Sequence, residues 1–162
     1  MTPKTKKRMT YLAVALAIVV LIPVVLLAVG SVLATRPENL GVHSGRLAEC
    51  PKSPNCVSTQ CTDAEHQIAP IPFAGSSAEA TRRLKNALTT LPRTRIVTET
   101  DNYLHAEATS LLFRFVDDVE FYVDSTAKLI HFRSASRTGY SDLGVNRARM
   151  EKLRAAFEAG GS

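Results

Sequence analysis

The polar side chains best suited to binding or proton transfer alternate with apolar residues in three segments of the chain. They are His105 and Glu107 in the first segment, Glu120 and Tyr122 in the second, and His131 and Arg133 in the third. If the three segments are neighbouring strands, all six side chains share one face of a sheet. Carboxylates, imidazoles and a guanidinium together suit a small anionic or mixed-charge ligand. The alternative is a solvated sheet face with cross-strand ion pairs, because antiparallel sheets commonly expose one face to water.

A second polar group occupies residues 134–149, immediately before a predicted helix. The members we assign to a candidate ligand site are Arg137, Tyr140, Asp142 and Arg147. Polar side chains that converge near a helix N-terminus favour an anion site.

This loop also has a purely structural interpretation. Asp142 or Asn146 would cap the helix, and Arg137 or Arg147 would pair with the carboxylates of residues 117–118 to hold the loop. The two adjacent carboxylates are a weak metal signal, because neighbouring side chains of a strand point in opposite directions.

The sequence contains none of the common catalytic signatures. No G-x-S-x-G, H-E-x-x-H, P-loop or dinucleotide fingerprint occurs. Cys56 with His66 or His105 would make a thiolate–imidazole pair, but oxidation of the thiol would abolish it. We therefore predict no catalytic residue, no cofactor and no metal, and the sequence leans away from an enzyme.

Three cysteines, Cys50, Cys56 and Cys61, lie within twelve residues. Outside the cytoplasm, nearby cysteines tend to form disulfides, and an odd number leaves one thiol over. Unpaired structural thiols are the second interpretation. The third is a metal site completed by His66, but the spacing C-x5-C-x4-C-x4-H lacks the short hairpin of structural zinc sites.

Residues 11–32 hold no charged side chain and are long enough to cross a bilayer. Four basic residues precede this stretch: Lys4, Lys6, Lys7 and Arg8. Their position predicts a cytoplasmic N-terminus and an extracytoplasmic domain, anchored in the inner (plasma) membrane. A cleaved signal peptide ending near residues 32–34 is the alternative, although cleavable apolar regions usually span about 7–15 residues. We expect an uncleaved single-pass signal anchor.

Excess positive charge belongs to that cytoplasmic tail. Four of the 20 basic residues precede Tyr11, so the remainder of the chain carries 16 basic residues against 15 acidic ones. The near-neutral balance argues against nucleic-acid binding by the domain.

The predicted division of the chain follows from these features. Residues 1–10 form a basic tail, 11–34 the transmembrane anchor, 35–49 a Pro- and Gly-containing linker, 50–158 the extracytoplasmic domain and 159–162 a short tail.

Periodicity in the domain predicts an α+β fold. Apolar spacing indicates helices at residues 76–91 and 146–157, and alternation indicates strands at 66–71, 95–100, 103–109, 119–124 and 129–135. A strand, a helix, four strands and a helix suggest an antiparallel sheet with both helices on one face. The TATA-binding-protein fold shares this order, an analogy of fold that carries no function.

Several motifs resemble an uncharacterised family, domain of unknown function 1499 (DUF1499). They are CPKSPNCVS at 50–58, LFRFVDDVEF at 112–121, RSASR at 133–137, GYSD at 139–142 and GVNR at 144–147. The resemblance implies a bacterial and plastid-type envelope domain and supplies no catalytic residue. Because Cys50 and Cys56 match the family motif and Cys61 does not, it favours a disulfide between the first two.

These observations lead us to expect a membrane-anchored envelope module that is not an enzyme. It would bind a small anionic ligand or an envelope protein partner through the polar sheet face and the loop around Arg137. An extracytoplasmic hydrolase or thiol-dependent enzyme is the second hypothesis, and a structural or assembly protein of the envelope is the third.

The charge asymmetry around residues 11–32 makes a topological prediction. A reporter enzyme fused after Ser162 should be active only if it is of a kind that works outside the cytoplasm. Activity of a cytoplasm-specific reporter at the same junction would reverse the predicted orientation.

Overall fold

A computed structural model describes residues 3–160 of the chain. The first element is helix α1, Pro3–Leu33, which contains Pro23 and exposes its apolar side chains along its length. At about 1.5 Å per residue, α1 is about 46 Å long. Its length and composition allow it to cross a membrane, although a signal sequence at the N-terminus has the same properties.

Eight further elements follow α1. They are β1 (Cys56–Ser58), β2 (Ile71–Pro72), α2 (Ser77–Thr89), β3 (Thr94–Glu99), β4 (Tyr103–Thr109), β5 (Val116–Asp124), β6 (Leu129–Ser136) and α3 (Val145–Ala159). The strands form one antiparallel sheet in the order β1-β6-β5-β4-β3, and β2 also pairs with β6. The predicted α+β class is confirmed.

Both helices pack on the same face of the sheet. The α2 stripe of Ala80, Leu84, Ala87 and Leu88 and the α3 stripe of Met150, Leu153 and Phe157 are buried. They meet sheet side chains that include Leu104, Val119, Phe121, Ile130 and Phe132. Ser76 begins α2 by accepting a hydrogen bond from the Glu79 amide at 3.2 Å, and Pro92 lies just beyond the end of α2, where a helix cannot continue.

The N-terminal strands differ from the prediction. Residues 66–71 were expected to form one strand, yet only Ile71 belongs to a strand, and Gln67 makes an isolated bridge to Ser58. Strand β1 falls within a segment for which no strand was predicted. All three of its residues are buried, so it lacks the alternation that reveals a strand.

Residues 36–47, here called the covering segment, lie across the sheet face opposite the helices. Gly41 donates its amide to a Glu120 carboxylate oxygen at 2.8 Å, and Leu47 is buried. A Pro- and Gly-containing stretch expected to be a linker therefore packs as a layer of the domain. Its polar composition hid this role, because it is held by hydrogen bonds and ion pairs.

The structure contains a disulfide between Cys50 and Cys56, whose Cα atoms are 5.7 Å apart, and Cys61 is a free thiol. This is the pairing that the family motif favours. The bond ties the chain just after the covering segment to β1, an edge strand of only three residues.

We predict that replacing Cys50 and Cys56 together by Ala will lower the free energy of unfolding by about 2 kcal/mol, the chain-entropy expectation for so short a loop. Denaturant titration of the full chain in detergent measures the change. The Cys61→Ser control should stay within about 0.5 kcal/mol of the parent. Equal losses in the two variants would contradict a structural disulfide at this position.

Candidate functional site

The sheet face opposite the helices brings together the polar side chains that the sequence placed there. His105 lies opposite Glu120, Glu120 lies opposite Arg133, and Tyr122 lies opposite His131. Asp118, opposite Glu107, joins them. The alternation of β4, β5 and β6 dictates this gathering, because residues two apart point to the same face.

Glu107 is the member of the cluster that pairs with the most arginines. One carboxylate oxygen accepts from Arg36 at 2.7 Å and from Arg137 at 2.6 Å, and the other accepts from Arg95 at 2.7 Å. Burial raises the pKa of Glu107, but the hydrogen bonds from Arg36 and Arg137 and the neighbouring positive charges outweigh it and lower the pKa to about 2. Glu107 is therefore an anion held by three arginines.

Asp118 extends the network. Arg137 donates to both of its carboxylate oxygens, at 2.8 and 2.7 Å, and the His105 Nε2 lies 2.8 Å from one of them. Burial acts to raise the pKa of Asp118, and the contacts with Arg137 and His105 overcome it and lower the pKa. The pKa of Arg137 is raised, chiefly by its hydrogen bond to Asp118. Such bidentate Arg–carboxylate contacts are among the strongest in proteins.

Glu120 forms the third centre and is fully buried. It accepts from the Gly41 amide at 2.8 Å, from the Tyr103 hydroxyl at 2.9 Å and from Arg133 at 3.2 Å. Burial, followed by the nearby Glu120 charge, raises the pKa of Tyr103, so its hydroxyl stays a donor. The Gly41 amide of the covering segment thus supplies one of the three hydrogen bonds that stabilise the buried Glu120 carboxylate.

His131 stands at the edge of this cluster. Its ring stacks on Tyr122 with 6.1 Å between ring centroids, and its Nδ1 lies 3.2 Å from the Thr59 hydroxyl. Burial lowers the pKa of His131, which favours the neutral imidazole.

The alternative interpretation of a solvated sheet face is wrong about its exposure, because the covering segment lies over it. His105, Glu107, Glu120 and Arg133 are all buried. Ligand binding by these residues stays a prediction, and it would require the covering segment to move and Arg36 to leave Glu107. In the observed arrangement the face is an internal ion-pair network.

The loop before α3 follows the structural interpretation. Arg137 turns inward onto Asp118, and Asp142 accepts from the amides of Gly144 at 3.0 Å and Asn146 at 2.7 Å. Arg147 donates to the carbonyls of Gln67 and Glu65, at 3.0 and 2.8 Å. These side chains organise the start of α3. Of the four candidate residues in the loop, Tyr140 alone points into solvent with its side chain largely exposed.

Three side chains of the network have metal-ligand chemistry. Ligand atoms of His105, Glu107 and Asp118 lie within 4.8 Å of one another. The Arg137 guanidinium, however, already bonds both carboxylates and supplies the positive charge that a cation would bring. A metal would have to displace it, so we assign no metal to these residues.

The Cys56 thiolate–imidazole pair suggested by the sequence cannot form while Cys56 is in a disulfide. Cys56 is bonded to Cys50, and His66 instead contacts Asp63 at 2.6 Å and the Ser53 carbonyl at 3.1 Å. Burial lowers the pKa of the His66 imidazole, but the Asp63 contact overcomes it and raises the pKa. The free Cys61 thiol lines a separate shallow cleft of about 370 Å³.

Sequence patterns did not reveal an open cleft of about 400 Å³ between the α2–β3 connection, the start of α3 and the β4–β5 loop. Its apolar lining includes Leu91, Leu111 and Val145, and its charged lining includes Arg93, Asp117, Arg149 and Lys152. Arg149 pairs with Asp117 at 2.5 Å. Within residues 3–160, Lys152 makes no ion pair and is exposed. The sequence signal for this cleft is a helical spacing that puts four of its lining residues on one face of α3: Val145, Ala148, Arg149 and Lys152.

Comparison with known families places the chain. Residues 46–157, more than half of the chain, match the family described as a protein of unknown function (DUF1499). The chain belongs to this family. The DUF1499 match begins at Arg46, near the end of the covering segment, and runs to Phe157 in α3, so it includes the whole sheet. Searches of curated proteins and of solved structures gave no match.

The network makes Arg137 structural. We predict that Arg137→Gln will lower the free energy of unfolding by about 3 kcal/mol or more, because it leaves two buried carboxylates without their shared cation. The control is Arg114→Gln, an exposed arginine in the β4–β5 loop, which should change stability by no more than about 0.5 kcal/mol. Thermal melts of both full-length variants in detergent decide it, and a small, equal effect of both would show that Arg137 is not architectural.

Proposed function

We propose that the chain is a membrane-anchored envelope protein whose domain binds a small ligand in the cleft between the α2–β3 connection and the start of α3. The ligand would carry one anionic group and an apolar portion. The observation that carries this proposal is the lining of the cleft, which combines the apolar Leu91, Leu111 and Val145 with the basic Arg93, Arg149 and Lys152. Binding sites commonly combine a mostly apolar wall with a few convergent polar groups.

Charge in the cleft favours an anion. The Arg149 guanidinium is balanced by Asp117. The Arg93 Nε donates a hydrogen bond to the Thr109 carbonyl, which is a neutral partner. This contact therefore leaves the positive charge of Arg93 uncompensated. Lys152 adds a second charge of the same sign. A carboxylate or phosphate oxygen is the complementary group, and it would gain charge-assisted hydrogen bonds there.

The state of the polar sheet face also favours the cleft as the ligand site. Arg133 and Arg137 of this face are buried and engaged by Glu107, Asp118 and Glu120, so these two arginines present no open anion site to solvent. The cleft, by contrast, opens at the surface on the helical side of the sheet. We therefore place the predicted anionic ligand in the cleft and give the loop around Arg137 a supporting role.

The anchoring part of the proposal rests on α1 and on the disulfide. The apolar side chains of α1 are exposed along the helix. Such exposure is unfavourable in water and favourable in the hydrocarbon core of a bilayer. The basic residues before it favour a cytoplasmic N-terminus. The Cys50–Cys56 disulfide suits an oxidising compartment, which agrees with an extracytoplasmic domain.

Hexyl phosphate, a short chain with one phosphate, is a suitable probe for the cleft. We predict that it binds the full-length protein in detergent and that Lys152→Gln weakens its affinity about 10-fold, the loss of one charge-assisted contact. The matched control is Lys85→Gln, an exposed lysine of α2 that pairs with Glu99 away from the cleft. Isothermal titration measures both. No binding to the parent, or equal affinities of the two variants, would refute the cleft as an anion site and favour the structural role.

A further inference from the structure

We infer that the end of the domain nearest α1 sits in the surface of the membrane that α1 crosses, with the tips of two loops inserted among the lipids. The inference rests on the proposed anchoring of α1. It goes beyond anchoring because it fixes the orientation of the whole domain on the bilayer. The partner surface is a lipid interface containing anionic headgroups.

The first observation is where the exposed large apolar and aromatic side chains lie. Outside α1, the described residues include six, and five of them are at one end of the sheet: Leu111 (70% exposed), Leu112 (81%), Tyr140 (77%), Leu143 (93%) and Val145 (50%). The sixth, Ile96, is on β3 and is 37% exposed. Clustered exposure of this kind marks an interaction surface, whereas single exposed residues are ordinary.

The second observation is that this is the end nearest α1. The covering segment starts with Arg36 beside Glu107, continues to Gly41 at Glu120 and reaches Gly45 beside the Tyr122 hydroxyl. Glu120 lies opposite His105 and Tyr122 lies opposite Tyr103, so the covering segment runs antiparallel to β4. The end of β4 that leads into residues 110–115 is therefore the one closer to the membrane.

Chain lengths agree with this placement. Arg36 is three positions after Leu33, the last residue of α1, and these three steps span at most about 11 Å. β4 ends at Thr109, and the four steps from Glu107 to Leu111 span at most about 14 Å. The tip of the β4–β5 loop can thus lie at the level at which α1 ends. The loop before α3 lies beside it, because Arg137 donates its amide to the Val116 carbonyl at 3.0 Å.

Both loops have fixed conformations that point apolar side chains outward. The β4–β5 loop is closed by the Ser110 amide on the Phe115 carbonyl at 2.8 Å and by the Phe115 amide on the Ser110 hydroxyl at 2.9 Å. In the second loop, Leu143 has a φ of 55°, an unfavourable conformation for a branched side chain. Its side chain is the most exposed of the set, and a membrane interface would compensate that exposure.

Charge around the tips complements a lipid surface. Arg93, Arg114, Arg149 and Lys152 lie on or beside the two loops. Of the carboxylates in the cleft and in the second loop, Asp117 is paired with Arg149 and Asp142 is bound to backbone amides. Apolar tips ringed by cations, with an exposed tyrosine, are typical of segments that lie at a membrane interface.

The chain contains no tryptophan, so a single introduced tryptophan reports its own surroundings. We would prepare Leu112→Trp and Tyr140→Trp, with Ala127→Trp in the β5–β6 turn at the opposite end as the matched control. Each full-length variant is reconstituted into vesicles of phosphatidylcholine and phosphatidylglycerol, with or without bromine on the acyl chains. We expect blue-shifted emission and at least 2-fold quenching by the brominated lipid for the first two variants, and neither effect for the control.

The outcomes separate this inference from the proposed function. If the protein floats with the vesicles but the tryptophans at 112 and 140 behave like the one at 127, the inserted loops are refuted and the anchor stands. If the protein does not float with the vesicles, the anchor and the inference fall together. Quenching of all three tryptophans would also overturn the inference, because it would mean that no particular end faces the lipid. Hexyl phosphate binding in detergent tests the cleft separately from any of these results.

Discussion

Glu107 is a buried carboxylate, and a carboxylate removed from water is stable only when it is paired and hydrogen-bonded. Its three partners come from distant parts of the chain: Arg36 precedes the sheet, Arg95 belongs to the edge strand β3, and Arg137 follows β6. Pairing this one carboxylate therefore fixes the path of the covering segment, the position of the edge strand β3 and the course of the loop before α3. The path of the covering segment in turn determines where α1 leaves the domain.

This requirement also determines where the domain can meet other molecules. A face that would ordinarily be wet is filled with compensated charge, and the helices occupy the other face. Accessible polar groups therefore lie around the margins of the sheet, as in the cleft at the start of α3 and in the separate cleft beside Cys61. Asp117 and Asp118 illustrate the division, because adjacent residues of β5 point to opposite faces. Asp118 belongs to the network around Arg137, whereas Asp117 pairs with Arg149 at the wall of the cleft.

The regular part of the fold was readable from the sequence because its signals were local. Alternation predicted β4 at residues 103–109, the observed bounds, and helical spacing located α2 and α3 to within a few residues. The same alternation placed His105, Glu120 and Arg133 on one face. It gave no information about what lies over that face, since the Arg36–Glu107 and Gly41–Glu120 contacts join residues more than 70 positions apart. Strand β1 was missed because its pairing partner, β6, dictates its conformation more than its own three residues do.

The distance along the chain between contacting partners has a consequence for how the protein is made. Strand β1 pairs with β6, and the Asn55 side chain donates to the Gly139 carbonyl, 84 residues later. The parts synthesised first therefore complete their contacts only when those synthesised last arrive, and closing such long loops slows folding. If α1 leads the chain across the membrane, the segment carrying Glu107, Asp118 and Glu120 emerges as an unfolded, acidic and hydrated polymer. Its contacts with Arg137, and the pairing of β1 with β6, can form only after β6 and the loop that follows it have crossed as well, so these parts of the fold would form late in export.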